Sequence, residues 1–322
     1  MPSARFSTDL ELYGPVATPP KAVSRRQARR YCRDLARRHY ENFTVASLLV
    51  PRGLRQHVYN IYAYCRWADD LADETGDPAR SLALLDWWEL QLRQCYRGRA
   101  THPVFVALAE TIRRFDIPPD PFVDLLVAFR QDQRVRRYET LEQVLEYCRY
   151  SANPVGRLML HLAGCTQPEL VLLSDAVCTG LQLANFCQDV ALDWERGRVY
   201  LPQTHCRQFG YLEAMFARRE YNEAFCRLMA AETAEAEGWL RRGLPLIQYM
   251  PRALQLDTAL FIYGGLSILE AIRRVEYDVW NRRPVLSGGQ KLRLAAWCWW
   301  QWRRGVLGTS SLAAPGLRPV DP

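Results

Sequence analysis

Between residues 24 and 304 apolar side chains recur at steps of three and four, the period of a helix with one buried face. No run alternates apolar and polar residues for long enough to read as a strand. The pattern is interrupted at Pro51-Arg52-Gly53, Gly76-Asp77-Pro78, Arg97 to Pro103, Pro118 to Pro121, Gly164 to Pro168, Gly197 to Pro202, Gly243 to Pro251 and Pro284 to Gly289. Proline and glycine end helices or start them, so these breaks predict about ten helices. No fixed period repeats, which disfavours a solenoid, and the expected architecture is one all-α bundle over residues 24–304. Residues 1–23 carry Pro15, Pro19 and Pro20 without an apolar period and read as a flexible leader, with order starting at Ser24 as an N-cap. Residues 305–322 are small and proline-containing and read as a disordered tail.

Two helical segments carry charge where the pattern asks for apolar residues. In Ile61 to Glu74, Tyr62, Arg66, Asp69 and Asp73 fall at steps of four, three and four and share one face, with Asp70 and Glu74 beside them. In Gly180 to Trp194, Asn185, Asp189 and Asp193 fall at steps of four, with Gln182 one turn earlier, among Leu181, Leu183, Ala184, Phe186, Val190 and Leu192. A lone acidic cluster is most simply a solvated helix face. Two of them at helical spacing, each within an apolar segment, are better explained by a shared cation, because unpaired buried carboxylates are costly. Hard Mg²⁺ takes carboxylate oxygens and shares them with phosphate, so two carboxylate walls imply Mg²⁺ and a diphosphate. An apolar cavity would hold the rest of such a substrate. That combination suits metal-assisted loss of diphosphate to give a carbocation, with Phe43, Tyr62, Tyr147 or Tyr150 offering aromatic faces to it. A di-iron bundle would need Glu-x-x-His pairs on facing helices, and the sequence has none.

Composition narrows the setting. Of 322 residues, 42 are basic and 35 acidic, for a net charge of +7, and the only lysines are Lys21 and Lys291. Arginine suits phosphate and anionic surfaces, although codon bias explains the excess equally well. The ten cysteines form no CxxC pair and no zinc-spaced cluster, which predicts free thiols in a reducing compartment. No signal peptide is evident, and no run approaches the roughly 20 consecutive apolar residues of a membrane span. The expectation is a cytoplasmic protein, with no nucleic-acid partner, resting peripherally on the inner membrane face. The segment Leu292 to Trp302, with Trp297, Trp299, Trp300 and Trp302 flanked by Lys291, Arg293, Arg303 and Arg304, is the candidate for that contact. Packing as the last helix of the bundle is an equally good reading of it.

Taken in order, the first acidic motif, Tyr147-Cys148-Arg149-Tyr150-Ser151-Ala152-Asn153-Pro154-Val155-Gly156, the second acidic motif and Arg196-Gly197-Arg198-Val199-Tyr200-Leu201-Pro202 resemble the squalene/phytoene synthase family. The resemblance runs from about Ala28 to Ser287. It implies the all-α isoprenoid synthase fold, a single-domain helical bundle with a central cavity, and Mg²⁺-dependent chemistry on prenyl diphosphates. Carried over position by position, it implies Asp69, Asp70, Asp73, Asn185, Asp189 and Asp193 as metal ligands. It implies Arg66, Arg198 and Arg282 as diphosphate-binding residues, and Tyr62, Tyr147 and Gln182 as catalytic ones.

The departures matter for specificity. The chain has His39-Tyr40-Glu41-Asn42-Phe43-Thr44-Val45-Ala46-Ser47 where many members carry a serine-containing stretch, Gln188 where they carry arginine, and Gly265 where many condensing members carry tyrosine. The combination of Glu41-Asn42-Phe43-Thr44-Val45-Ala46-Ser47, the Tyr147 to Gly156 stretch and Asn185-Phe186-Cys187-Gln188-Asp189-Val190 is similar to the hydroxysqualene synthase branch of bacterial hopanoid biosynthesis. It implies conversion of presqualene diphosphate to hydroxysqualene without NADPH, and the chain has no dinucleotide-binding glycine motif. Glu41, Tyr40 and Arg149 are the candidates for positioning the quenching water. Head-to-head condensation of two prenyl diphosphates to squalene, dehydrosqualene or phytoene is the alternative within the family. A non-catalytic helical assembly factor is the alternative of another class. Neighbouring enzymes of the same pathway are candidate partners.

Overall fold

The computed structural model describes residues 4–17, 23–38, 50–308, 314, 315 and 317, and every regular element among them is a helix. The expected stretch His39 to Ser47, with Tyr40, Glu41 and Phe43, lies outside the described residues. The chain divides into two compact units, one of residues 1–135 with 157–165 and the other of residues 136–156 with 166–322.

In the first unit the helices are α1 (Ala4–Tyr13), α2 (Arg25–Arg38), α3 (Arg52–Asp73), α4 (Pro78–Tyr96), α5 (Pro103–Phe115) and α6 (Asp120–Gln131). Their starts follow the proline breaks. Asp77 accepts a hydrogen bond from the Ala79 N–H ahead of Pro78, and His102 Nδ1 accepts one from the Val104 N–H ahead of Pro103. Ser24 caps α2, with its Oγ accepting from the Gln27 N–H. The core is aromatic. Trp67 of α3 stacks on Trp88 of α4 with ring centroids 5.3 Å apart, and the Tyr64 hydroxyl donates to the Phe122 carbonyl at 2.8 Å. Truncating such a fully buried tryptophan to alanine costs about 3–5 kcal/mol.

Helix α1 stands where the sequence predicts a loose leader. Phe6 is buried edge-on to Trp67, Tyr13 meets Tyr31 and His102, and Asp9 accepts a hydrogen bond from the Tyr31 hydroxyl at 2.9 Å. A few tertiary contacts thus order a segment too short and too sparsely apolar to fold alone.

The second unit contains α7 (Leu141–Ser151), the start of α8 (Asn153–Ala163), α9 (Pro168–Gln188), α10 (Val190–Glu195), α11 (Gln203–Phe209), α12 (Glu213–Ala217), α13 (Glu223–Gly243), α14 (Leu246–Tyr249), α15 (Arg252–Arg274) and α16 (Gly288–Arg303). Helix α9 is the spine, packed on α7, α13 and α15. Glycines allow the close approach. A methyl at Gly180 would lie 2.7 Å from the Leu240 backbone nitrogen, and one at Gly243 would lie 2.4 Å from Val177 Cγ2. By length and hydropathy α9 alone among the described helices could cross a bilayer, but its packing against α13 and α15 is that of a core helix. All ten cysteines are free, as expected. Within the predicted tail, Ala314 is buried and Pro315 and Leu317 line a pocket with Leu286, Gln290 and Leu294, so at least those residues pack on the unit.

Candidate active site

The first acidic motif forms the last two turns of α3. Trp67, Leu71 and Ala72 are buried on one face, which turns Tyr62, Arg66, Asp69 and Asp73 towards the less buried side. Asp70 is the exception, since it is buried with the apolar residues. Arg66 gathers the motif: it donates to Asp69 Oδ2 at 3.0 Å, forms an ion pair with Asp70, and lies 3.7 Å from Glu74 Oε1. Glu74 is also the C-cap, its N–H donating to the Asp70 carbonyl. Burial pushes the Asp70 carboxyl up to about 7, with Arg66 opposing and Asp69 and Glu74 adding to the rise. Burial likewise raises Tyr62, which keeps its phenol protonated. Burial works against the Arg66 charge, but Asp70 and Asp69 outweigh it and raise its pKa.

The second motif spans a break. Helix α9 ends at Gln188, Asp189 takes φ −107° and ψ 19°, and α10 begins at Val190. The hydrogen bonds nevertheless persist across the break, from the Asp189 N–H to the Asn185 carbonyl at 2.9 Å and from the Asp193 N–H to the Asp189 carbonyl at 2.8 Å. The three residues therefore keep the spacing that the sequence implies. Asn185 is exposed, and Gln182, Asp189 and Asp193 are partly buried. Just beyond, Gly197 at φ 75° lets the Arg198 N–H return to the Asp193 carbonyl at 2.8 Å, so Arg198 is fixed close to the motif. Arg136 and Arg137 hold this loop, with Arg137 donating to the Gly197 carbonyl at 2.7 Å.

Sequence reasoning missed Arg283. Its Nε and Nη2 donate to the two carboxylate oxygens of Asp189 at 2.6 and 3.1 Å, a bidentate pair that raises the guanidinium pKa. Gln188, the residue that replaces the family arginine, donates to the Pro284 carbonyl of the same loop. Arg282 is exposed; its backbone N–H donates to the Asp278 carbonyl, and it adjoins Arg283, which grips Asp189.

Tyr147 is buried in an aromatic stack with Tyr138, Phe186 and Tyr200, of which Phe186 and Tyr200 lie 4.0 Å apart and nearly parallel. Asn153 accepts from the Thr179 hydroxyl at 3.0 Å, and a methyl at Gly156 would lie 2.4 Å from Ser174 Oγ, so these motif residues dock the start of α8 on α9. Arg149 is largely solvent-exposed, lying over Tyr150 and near Glu146. Tyr150 is half-buried.

The donors at both motifs are carboxylate and amide oxygens, the set that suits Mg²⁺. Among the described residues no three His, Cys, Asp or Glu side chains converge at metal-ligand distance. The first motif lies in one compact unit and the second in the other.

Residues 36–290 match the squalene/phytoene synthase family model. A phytoene synthase of Arthrospira platensis is 32% identical over 81% of this chain and 89% of its own length. Among solved structures, the squalene synthase HpnC from Alicyclobacillus acidocaldarius is 44% identical, with a TM-score of 0.75, covering 79% of this chain and 95% of that one. A dehydrosqualene synthase at 24% identity and a TM-score of 0.78 shares the fold. The all-α isoprenoid synthase fold, the two acidic motifs and the match over most of the chain identify this protein as a member of the squalene/phytoene synthase family.

Proposed function

We propose that this chain converts presqualene diphosphate to hydroxysqualene and diphosphate in a Mg²⁺-dependent reaction. The observation that carries the reading is its 44% identity to the HpnC protein, against 32% to the phytoene synthase. Gly265 supports it. A methyl there would lie 2.8 Å from Leu181 Cδ2 and 3.0 Å from Leu240 Cδ1, so the tyrosine of many condensing members does not fit this packing.

In the proposed reaction the cyclopropylcarbinyl carbon–oxygen bond breaks and diphosphate leaves with the bonding electrons. Water adds to the rearranged cation and loses a proton, so no reductant enters. Mg²⁺ when bound would neutralise the charge that develops on the leaving group. Asp69, Asp70, Asp73, Asn185, Asp189 and Asp193 are the residues that would hold it. Arg66, Arg198 and Arg282 would bind diphosphate oxygens, with Arg283 added to that set by its place on the second motif. Tyr62 and Tyr147 would offer aromatic faces and hydroxyls to the cation, and Gln182 an amide to the pocket. Head-to-head condensation remains a second reading because the phytoene synthase of Arthrospira platensis and its kind align along most of the chain.

The test supplies purified protein and Mg²⁺ with presqualene diphosphate or, separately, farnesyl diphosphate, and identifies the lipid product. Hydroxysqualene from presqualene diphosphate, with no presqualene diphosphate formed from farnesyl diphosphate, is the expected result. Presqualene diphosphate, squalene or phytoene made from simple allylic diphosphates would establish the condensing reading instead. Asp69→Asn and Asp189→Asn should each abolish turnover with helical content intact, and unchanged turnover in both would sink either reading.

A further inference from the structure

We propose that the outer face of α16 docks on the surface of an anionic phospholipid bilayer. The sequence leaves open whether this tryptophan-rich helix packs on the bundle or faces lipid, and the structure buries one face of it and leaves the other exposed. Leu294, Cys298 and Gln301 are buried, and Trp297 meets Tyr263 of α15 edge-on with ring centroids 5.1 Å apart. Trp302 donates to the Arg252 carbonyl at 3.1 Å. These contacts anchor the helix and fix which residues point away.

What points away is apolar and cationic together. Leu292, Trp299 and Trp300 are 72%, 50% and 48% exposed, and with Arg303 they follow the spacing i, i+7, i+8 and i+11 of one helical face. Arg303 lies over Trp299 with its guanidinium carbon 5.4 Å from the ring centroid, and Arg304 over Trp300 at 4.4 Å. An indole capped by a guanidinium has an apolar body and a charged edge, the chemistry that favours the boundary between acyl chains and headgroups. A headgroup layer meets both parts of this pairing, with acyl chains for the indoles and phosphates for the guanidinium groups.

Charge selects the anionic bilayer. Beyond the two arginines already placed at the second motif, residues 284–320 contain five basic residues, Lys291, Arg293, Arg303, Arg304 and Arg318, and no aspartate or glutamate. Each basic residue near an anionic surface strengthens partitioning by about fivefold, and the buried indoles add an apolar contribution. The inference does not depend on which prenyl diphosphate the enzyme uses.

The experiment is flotation of the full chain with vesicles of equimolar phosphatidylcholine and phosphatidylglycerol, against vesicles of phosphatidylcholine alone. The wild type should float with the first, float poorly with the second, and show a blue shift of tryptophan emission on binding. Arg303→Gln with Arg304→Gln should weaken partitioning by roughly thirtyfold, two residues' worth of that attraction, and make it less sensitive to salt. Trp299→Ser with Trp300→Ser should weaken it at low salt as well. Thermal midpoints near wild type in both double variants exclude unfolding as the cause. No flotation of the wild type, or equal flotation of wild type and both variants, overturns the proposal. So does a wild-type dimer in solution that the tryptophan variant converts to monomer, because the face would then be a contact between copies.

Discussion

Asp189 is the residue at which the structure adds most to the sequence. Its place one turn from Asn185 and Asp193 was legible because backbone hydrogen bonding carries the period of four through the break between α9 and α10. Its arginine partner was not, since Arg283 is 94 residues away and sits beside a second arginine of identical chemistry. Only the conformation of the loop around Pro284 decides which of the two turns to the carboxylate. Asp69 and Asp73 were likewise legible from spacing, whereas the burial of Asp70 follows from the aromatic core behind α3. The Arg283 pair also makes a prediction. The guanidinium occupies both oxygens of Asp189, so it competes with any cation there. Arg283→Gln should lower the Mg²⁺ concentration at half-maximal thermal stabilisation by roughly two- to fivefold, the worth of a half-exposed ion pair at about 0.5–1 kcal/mol. A higher midpoint would mean that the arginine assists the metal site instead.

At the scale of elements, proline and glycine punctuation located the starts of α3, α4, α5 and α9 because the chemistry of those starts is local. The short helices α10, α11, α12 and α14 were not resolved, since one or two turns are too few for a period to register. Helix α1 was missed for a different reason: what orders it is contact with Trp67, Tyr31 and His102, which no local pattern displays. The glycine seam gives opposite predictions along neighbouring helices. Gly180→Ala should destabilise by about 1–3 kcal/mol, because its methyl would strike the Leu240 backbone, which cannot move aside as a side chain can. Gly264→Ala, on α15, meets nothing within 4 Å and should stabilise by about 0.5–1 kcal/mol through helix entropy. Urea midpoints of the two variants check both signs.

His102 links that element scale to pH. Burial among Trp67, Trp87, Trp88 and Phe105 lowers its pKa to about 3, while its Nδ1 caps α5 as an acceptor, a role that only the neutral ring can fill. In the unfolded chain the imidazole takes up a proton near its ordinary pKa of about 6.5. The folded form does not, so the contribution is complete above that value. It is lost as pH falls towards 3, by at most about 1.4 kcal/mol per pH unit. His102→Asn keeps a capping side chain and removes the titration. The wild type should therefore lose more stability than this variant between about pH 7 and about pH 4.5, and parallel losses in the two would refute the assignment.

For the molecule as a whole, the helical period and the ordered motifs made the fold class and family legible. The division into two units was not. Its boundaries fall at Val135, within α8 at Gly156 and at Cys165; only the last lies in a glycine–proline break, and that break is like those between helices of a single unit. The two acidic motifs belong to different units, so whether both serve one ligand is a question for the intact chain. A ligand that binds only the native state stabilises it by mass action, by about 2.7 kcal/mol at a hundredfold excess over its dissociation constant. Mg²⁺ with inorganic diphosphate should accordingly raise the thermal midpoint of the wild type more than Mg²⁺ or diphosphate alone. If both motifs serve the same diphosphate, Asp69→Asn and Asp189→Asn should each remove most of the added shift, and the double variant should remove little more than either. Two independent half-shifts that add in the double variant would instead assign a separate ligand to each motif. That outcome would exclude a shared diphosphate while leaving each acidic cluster a metal site in its own right.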